Sequence, residues 1–258
     1  MDLKIGDLVT RNSHNNDIVF IITDIENDIY YLKGMHIRLQ ADSNYEDLVK
    51  YEGIDKEEEN FERNLIPKQL DRSDYFYIPG KILHIDSDND YLKRCIDYYE
   101  KMNIWVKGIR LNEYELKDKI EDLLEEYKPN ILVITGHDAY YKKKGNINNI
   151  NAYKNSNNFI DAIKEARKIE KSHDNLIIIA GACQSNYEEL IKAGANFASS
   201  PKRINIHALD PAIVASKMAL SEVNKEIDLK SILESTRYGS SGIGGIKTKG
   251  TMYIGYPR

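Results

Sequence analysis

The sequence predicts a two-part α/β protein, in which a small all-β module precedes a larger domain built on a parallel sheet. Short β-branched and aromatic runs, separated by Asn, Asp and Gly, fill the first 51 residues. From Lys81 onward, continuous apolar runs alternate with segments whose apolar residues have helical spacing. Because continuous apolar strands are buried on both faces, this alternation indicates a parallel sheet with helices on either side.

The N-terminal module, predicted over residues 1–51, contains four candidate strands. Three are short β-branched or aromatic runs, and the fourth alternates apolar and polar residues as a half-buried strand does. They are Asp7–Thr10, Ile18–Ile22, Ile29–Leu32 and Met35–Leu39. Several short strands at close spacing indicate a small SH3-like barrel, which we expect to act as a docking module.

Residues 52–78 are predicted to be a charged linker. The run Lys56-Glu57-Glu58-Glu59 stands among few apolar residues, which is typical of an exposed segment. Pro79-Gly80 then marks the start of the α/β domain, predicted over residues 79–258.

Strands and helices alternate through the α/β domain in an order typical of a flavodoxin-like sheet. The predicted strands cover residues 82–85, 104–106, 131–134, 176–180 and 195–199. The predicted helices cover residues 91–102, 116–124, 159–169, 186–192 and 210–223. The tail, residues 239–250, has five glycines in twelve residues and is predicted to be a loop or a lid.

Composition excludes several classes of protein. Of the 258 residues, 41% are hydrophobic and 30% charged, which suits a chain that buries a core. A net charge of −5 argues against a general nucleic-acid binder. Apolar runs fall short of the roughly 18 residues that span a bilayer, and the first residues lack the apolar region of a signal peptide. Two cysteines, Cys95 and Cys183, cannot form a disulfide framework or a four-thiolate zinc site.

Candidate chemistry gathers where three predicted strands end. The first strand runs into Asp86-Ser87-Asp88-Asn89-Asp90, the third into Gly136-His137-Asp138, and the fourth into Ala182-Cys183-Gln184. Functional groups collect at the carboxyl ends of parallel strands, so an acidic cluster, a histidine and a cysteine are expected at one edge of the sheet.

Cys183 has the features of an activated thiol. Ser185-Asn186-Tyr187-Glu188 fits a capping box, which predicts a helix directly after the cysteine. The positive end of a helix dipole lowers the pKa of a thiol placed there, and a neighbouring histidine can take its proton. His137 is the candidate base, because His84 lies inside a predicted strand and His207 in a connecting loop. The alternative is an inert buried cysteine at a strand end.

The acids after the first strand admit three interpretations. They form a solvated turn in which Asp90 caps the next helix, a pocket for a basic side chain, or a magnesium site like that of receiver domains. A receiver domain needs an aspartate directly at the end of its third strand, where Gly136 and His137 stand instead. Asp210-Pro211 is predicted to be an N-cap followed by proline at the first helical position.

The pairing of a strand ending in Gly-His with a later strand ending in Ala-Cys resembles the caspase–clostripain–gingipain class of cysteine peptidases. Along nearly its whole length, the chain also resembles the YabG family of sporulation-specific proteases. The matching stretches are Gly6–Arg11, Leu32–Gly34, Arg38-Leu39, Ala41-Asp42, Val133–Asp138, Ala180–Ser185 and Ser199–Pro201.

This resemblance implies a caspase-like fold for the α/β domain and a cysteine endopeptidase made during endospore formation. Such an enzyme trims spore-coat and other spore proteins after Arg, in the cytoplasm of the sporulating cell or in association with the spore coat. The implied partners are protein substrates, with no nucleic acid, membrane, metal or organic cofactor. A non-enzymatic alternative is a receiver-like or scaffold protein of the spore coat. An alternative enzyme is a thiol amidase on a flavodoxin-like sheet.

The expected catalytic residues are His137 as base and Cys183 as nucleophile. Backbone N–H groups of Asp138 and Cys183 are expected to hold the oxyanion. Asp138 stands where the caspase class usually has Gly, so its carboxylate must point away from the substrate. Asp86 and Asp88 are the expected pocket acids for the arginine, followed by Asp210.

Overall fold

The structure is a computed structural model that describes residues 3–53, 61 and 75–256. The chain divides into two compact units, residues 1–64 and 65–258. Most of the predicted linker lies outside the described residues, namely 54–60 and 62–74.

The first unit contains an antiparallel sheet. Its strands are β1 (Leu8–Arg11), β2 (Phe20–Glu26), β3 (Ile29–Gly34), β4 (Gln40–Asn44) and β5 (Leu48–Lys50). They are ordered β4-β3-β2-β1-β5, and every neighbouring pair is antiparallel. Val9, Phe20 and Ile22 form the centre of its core. The sheet confirms an all-β module, while its closure into an SH3-like barrel stays a prediction.

The predicted fourth strand, Met35–Leu39, is wrong. These residues form a tight loop between β3 and β4, closed by a 2.8 Å hydrogen bond from the Gly34 N–H to the Leu39 carbonyl. A Cβ at Gly34 would stand 2.2 Å from the Ile37 carbonyl oxygen, so the loop requires glycine there. The strand that follows, β4, is polar and largely exposed, which is why apolar alternation did not reveal it.

The second unit is built on a mostly parallel sheet, as predicted. Its strands are β7 (Ile82–Asp86), β8 (Val106–Arg110), β9 (Ile131–Thr135), β10 (Ile177–Ala180), β11 (Phe197–Ser199) and β12 (Ile243–Gly245). Their order is β12-β11-β10-β9-β7-β8. Strands β7 to β11 are parallel, and β12 runs antiparallel to β11. Every residue of β7, β9 and β10 is buried, which accounts for the continuous apolar runs of β9 and β10.

Helices lie against both faces of this sheet. They are α1 (Asn89–Lys101), α2 (Leu116–Tyr127), α3 (Ser156–Ile169), α4 (Tyr187–Ala193), α5 (Asp210–Ala219) and α6 (Leu229–Glu234). Apolar residues of α2, α3 and α4 share one core with Leu83, Leu132 and Ile178 of the strands. Helices α1 and α5 contact each other and also pack against strands of the sheet. In the described part of the chain, none of the helices has the length and apolarity to cross a membrane.

The prediction that the glycine-rich tail is a loop or a lid is wrong. Strand β12 lies within this tail and forms the edge of the sheet. Ile243 is fully buried. A Cβ at Gly244 would stand 2.7 Å from the Tyr187 hydroxyl, and one at Gly245 would stand 2.5 Å from the Phe197 ring. Aromatic rings that pack directly on the backbone therefore explain these glycines.

The predicted linker also ends earlier than expected. Phe76–Ile78 forms β6, which pairs antiparallel with β13 (Tyr253–Gly255) near the end of the chain. The predicted second strand of the domain, 104–106, is displaced as well, since β8 begins at Val106 and runs to Arg110.

Strand order reverses at β7, because β8 lies on one side of it and β9, β10 and β11 on the other. Such a reversal leaves a crevice at the carboxyl ends of the two strands that flank it. Asp86 ends β7 and Thr135 ends β9, so the segments after these residues border that crevice.

Candidate active site

His137 and Cys183 follow adjacent strands. Strand β9 ends at Thr135, two residues before His137, and β10 ends at Ala180, three residues before Cys183. The two strands pair in parallel, with Ile134 opposite Ala180. Both residues therefore belong to segments that leave neighbouring strands at the same edge of the sheet. This confirms the strand placement on which the His–Cys hypothesis depends.

His137 is held through its ring and its backbone. Its Nε2 lies 3.3 Å from Oδ2 of Asp88, and its side chain is only 14% exposed. The backbone N–H donates to Oε1 of Glu113 over 2.7 Å, and the backbone carbonyl accepts from Nδ2 of Asn155 over 2.8 Å. The ring thus has a fixed position at the crevice between β7 and β9.

Cys183 is fully buried in this structure. The backbone N–H of Ile206 donates to its Sγ over 3.3 Å. The next residue, Gln184, has a left-handed backbone (φ 57°), and its N–H donates to Oγ of Ser200 over 3.1 Å. The segment from Ser200 to Ile206 thus contacts the cysteine and its neighbour, and a substrate carbonyl can reach the thiol only after covering residues move.

The helix after Cys183 does not begin as predicted. Its N-cap is Asn186, whose side chain accepts from the Glu189 N–H, whereas the capping box placed the cap at Ser185. Ser185 Oγ instead accepts from the Ala182 N–H over 2.9 Å. Helix α4 begins four residues after Cys183 and has seven residues. Since the dipole acts mainly within the first turn, it contributes less to the thiol than the sequence suggests.

Asp138 turns its carboxylate into the protein, away from the crevice. Oδ1 accepts the N–H groups of Ala139 (2.9 Å) and Asn155 (2.7 Å), and Oδ2 accepts the hydroxyls of Ser156 and Ser185. Burial raises the pKa of Asp138 above its ordinary value, although these four hydrogen bonds act in the opposite direction. The arrangement agrees with the expectation that this carboxylate points away from the substrate.

Asp86 is part of a buried polar chain. Its Oδ2 accepts from the Thr135 hydroxyl over 2.7 Å, and its Oδ1 accepts from the Asp88 N–H over 2.9 Å. His84 lies beneath, with Nε2 3.0 Å from the Thr135 hydroxyl and Nδ1 2.9 Å from the Tyr99 hydroxyl. His84 is therefore a core residue, in keeping with its place inside a predicted strand, and Asp86 has structural partners that do not involve a substrate.

Asp88, rather than the predicted Asp90, caps helix α1. Its Oδ1 accepts from the N–H groups of Asp90 (3.0 Å) and Tyr91 (3.2 Å), and its backbone is extended, as the N-cap position requires. The other oxygen of the same carboxylate faces His137. Asp90 lies in the first turn of the helix and is exposed.

Asp210, the third predicted pocket acid, is fully buried. It is the first residue of α5, with Leu209 at the N-cap, so the predicted N-cap role is wrong by one position. Its Oδ2 accepts from the His207 N–H over 3.1 Å and its Oδ1 from the Arg237 N–H over 2.8 Å. Asp210 thus joins the start of α5 to the segment that follows α6.

The sequence profile of the YabG peptidase U57 family matches residues 4–257. The chain belongs to this family. It is also similar to a protein of Bacillus subtilis (strain 168), the sporulation-specific protease YabG. The two are 42% identical over a 289-residue alignment that covers 100% of this chain and 99% of the relative. Family membership confirms the resemblance that the sequence motifs indicated, and it indicates that the chain is a protease.

Glu113 is a residue of the candidate site that the sequence analysis did not identify. Its Oε1 accepts from the Ser87 hydroxyl over 2.6 Å as well as from the His137 N–H, so it joins the segments after β7 and β9. A Cβ at Gly136 would stand 2.5 Å from this oxygen. A side chain at position 136 would therefore push Glu113 from its present contact with the His137 N–H, a relation that no local pattern reveals.

One interpretation of the acids after β7 is a magnesium site like that of receiver domains. Nowhere among residues 3–53, 61 and 75–256 do three His, Cys, Asp or Glu side chains gather as a metal-binding group. Both Asp86 and Asp88 accept hydrogen bonds from neighbouring protein groups instead.

Proposed function

We propose that this chain is a cysteine endopeptidase of endospore formation in which His137 and Cys183 form the catalytic pair. The observation that carries the proposal is the parallel pairing of β9 and β10, which brings a histidine and a cysteine to one sheet edge in a member of a peptidase family. Histidine and cysteine on neighbouring segments are the usual parts of an activated thiol nucleophile.

The reaction begins when His137 takes the proton of the Cys183 thiol. The thiolate attacks the scissile carbonyl, and the backbone N–H groups of Cys183 and Asp138 stabilise the oxyanion. His137 then gives its proton to the leaving amine, which departs and leaves an acyl-enzyme. Water activated by His137 releases the second product and restores the thiol.

Two structural features support this chemistry. The Ile206 N–H donates to Sγ of Cys183, and a backbone donor of this kind stabilises the negative charge of a thiolate. The carboxylate of Asp138 accepts hydrogen bonds from Asn155 and Ser185 inside the protein, so its negative charge is directed away from the proposed oxyanion.

The proposed substrates are spore-coat and other spore proteins, cut after Arg in the sporulating cell. The name of the Bacillus subtilis relative supports the association with sporulation. A partly shielded carboxylate favours a guanidinium through charge-assisted hydrogen bonds. Asp86 and Asp210 remain the proposed sources of that carboxylate. Both are fully buried in this structure, so a guanidinium reaches either one only after covering residues move.

A cleavage assay with a matched cysteine control tests the proposal. The purified chain is incubated with a synthetic protein that contains one Arg, and Cys183→Ala is compared with Cys95→Ala. Cys95 is also fully buried, but it lies in α1 and its Sγ is 3.5 Å from the Ala208 carbonyl oxygen. We expect Cys183→Ala to abolish cleavage and Cys95→Ala to retain it.

Three results would contradict the proposal. One is cleavage by Cys183→Ala at a tenth of the wild-type rate or more, which would exclude Cys183 as the nucleophile. The second is release of ammonia from amide side chains without chain cleavage, which would favour the thiol amidase. The third is a chain that releases neither peptides nor ammonia, which would favour the scaffold protein.

A further inference from the structure

We propose that Asp88 is the positioning residue of His137, so that the site works as a Cys–His–Asp triad. The inference rests on the proposed function, because it gives Asp88 a part in the same reaction. Its direct basis is the 3.3 Å contact between Oδ2 of Asp88 and Nε2 of His137, two side chains that are 9% and 14% exposed.

The contact selects the useful tautomer of the imidazole. A carboxylate only accepts hydrogen bonds, so Asp88 keeps a proton on Nε2 of His137. The other ring nitrogen, Nδ1, then has the lone pair that accepts the thiol proton from Cys183. When the imidazolium forms, the same carboxylate stabilises its positive charge.

Asp88 is itself held in place, which a positioning residue must be. Its Oδ1 accepts from the N–H groups of Asp90 and Tyr91 in the first turn of α1, and its own N–H donates to Asp86. One carboxylate oxygen is therefore fixed by the helix, and the second is aimed at the ring. The positive end of the α1 dipole also favours a negative charge at this position.

The contact lies where the sheet topology makes it possible. Asp88 follows β7 and His137 follows β9, and these two strands pair directly at the point where strand order reverses. A second hydrogen bond, from the Thr135 hydroxyl to Asp86, crosses the same pair of strands. The triad geometry thus depends on buried strands rather than on a surface loop.

Two substitutions, Asp88→Asn and Asp88→Ser, separate the proposed effect of Asp88 on His137 from its role as the N-cap of α1. Both residues are good N-caps, so α1 keeps its cap in either variant. In Asp88→Asn, the amide oxygen is needed for the helix N–H groups, and the amide NH₂ is left facing Nε2. This favours the tautomer with the proton on Nδ1, which cannot accept the thiol proton. In Asp88→Ser the hydroxyl is too short to reach the ring.

The experiment measures kcat and KM for matched substrates with Arg or a neutral residue before the cut, at several pH values. We expect Asp88→Asn to lower kcat on the order of a hundred-fold, with KM little changed. Asp88→Ser should lose less, because its hydroxyl creates no conflict with the proton on Nε2. The alkaline limb of the kcat/KM profile should move to lower pH in both variants, since the carboxylate that stabilises the imidazolium is gone.

Other ionisable groups face His137 and stay constant in this comparison. Among the described residues these include Glu113, whose Oε1 accepts from the His137 N–H, and Tyr91, whose ring centroid is 6.0 Å from that of His137. Asp90→Asn is the matched control, because it removes the same charge from the first turn of α1 at an exposed position. We expect Asp90→Asn to keep kcat within twofold of the wild type.

Two outcomes would overturn the assignment. In the first, Asp88→Asn and Asp88→Ser keep wild-type kcat and pH profile. In the second, the loss is confined to Arg substrates, which would make Asp88 a pocket acid, as the sequence suggests. Failure of the proposed function is distinguishable from either, because it appears as cleavage by Cys183→Ala.

Discussion

Ser185 donates its hydroxyl to Oδ2 of Asp138 over 2.8 Å, and this bond joins the segment that carries His137 to the segment that carries Cys183. Gln184 makes a second link between them, because its Oε1 accepts from the Tyr140 N–H over 3.2 Å. The relative position of the two proposed catalytic residues is thus set by buried polar contacts as well as by strand pairing.

The first prediction concerns this link. Ser185→Ala removes one hydrogen bond to the Asp138 carboxylate and one to the Ala182 N–H, so we expect the free energy of unfolding to fall by about 2–4 kcal/mol. Urea unfolding measures the change. Ser172→Ala is a suitable control, because Ser172 also accepts N–H bonds but lies away from the site. Equal losses in the two variants would contradict a special role for Ser185.

The second prediction is a pH dependence. Because burial raises the pKa of Asp138, the folded protein holds this proton more tightly than the unfolded chain does. The stability that this group contributes is then present below its ordinary pKa of 3.8 and is lost as pH rises through the raised value. The stability advantage of the wild type over Asp138→Asn should therefore be larger at pH 4 than at pH 7.

Urea unfolding at the two pH values checks the sign. An advantage that grows with pH would mean that the four donors around Asp138 outweigh the cost of burying its charge.

The third prediction concerns the proposed pair as a unit. His137→Ala should abolish cleavage as fully as Cys183→Ala, and the double variant should be no worse than either single one. The reason is that the base and the nucleophile act in the same step. Rate measurements on all three variants test this, and a further loss in the double variant would contradict it.

The fourth prediction concerns the N-terminal module. A chain that begins at Ser73 retains β6 and its pairing with β13, so we expect it to fold and to cleave short peptides. A chain that begins at Lys81 lacks β6 and should be less stable, since β13 loses its partner. Thermal unfolding and a short-peptide assay compare the two. A folded chain from Ser73 that fails on peptides would show that residues before Ser73 are needed for cleavage.

The fifth prediction concerns arginine specificity. Asp86→Asn or Asp210→Asn should lower kcat/KM for Arg relative to a neutral residue by roughly ten- to a hundred-fold, for whichever carboxylate binds the guanidinium. Both side chains have internal hydrogen bonds, so each variant needs a parallel measurement of stability. An unchanged ratio in both would place the pocket acid elsewhere.

The parallel sheet could be predicted because its central strands contain continuous apolar runs, as at residues 131–134 and 177–180. Strand β12 could not, because its glycines are explained by the rings of Tyr187 and Phe197, which are distant in sequence. The cap of α1 was also missed. Asp88 and Asp90 have the same side chain, and the first turn of the helix settles the choice by donating to Asp88.

His137 and Cys183 could be predicted as candidates, since each follows an apolar run. The partners of His137 could not, because Asp88 and Glu113 come from other segments that only the folded sheet brings together.

The burial of Cys183 has a consequence for chemical damage. Peroxide oxidises a thiolate that it can reach, first to sulfenic acid and then irreversibly to sulfinic acid. A sulfur enclosed beneath the Ile206 backbone is shielded from that attack while no substrate is present. For the proposed nucleophile, the same burial that delays a substrate would therefore protect the resting protein against oxidants and expose the thiol mainly during turnover.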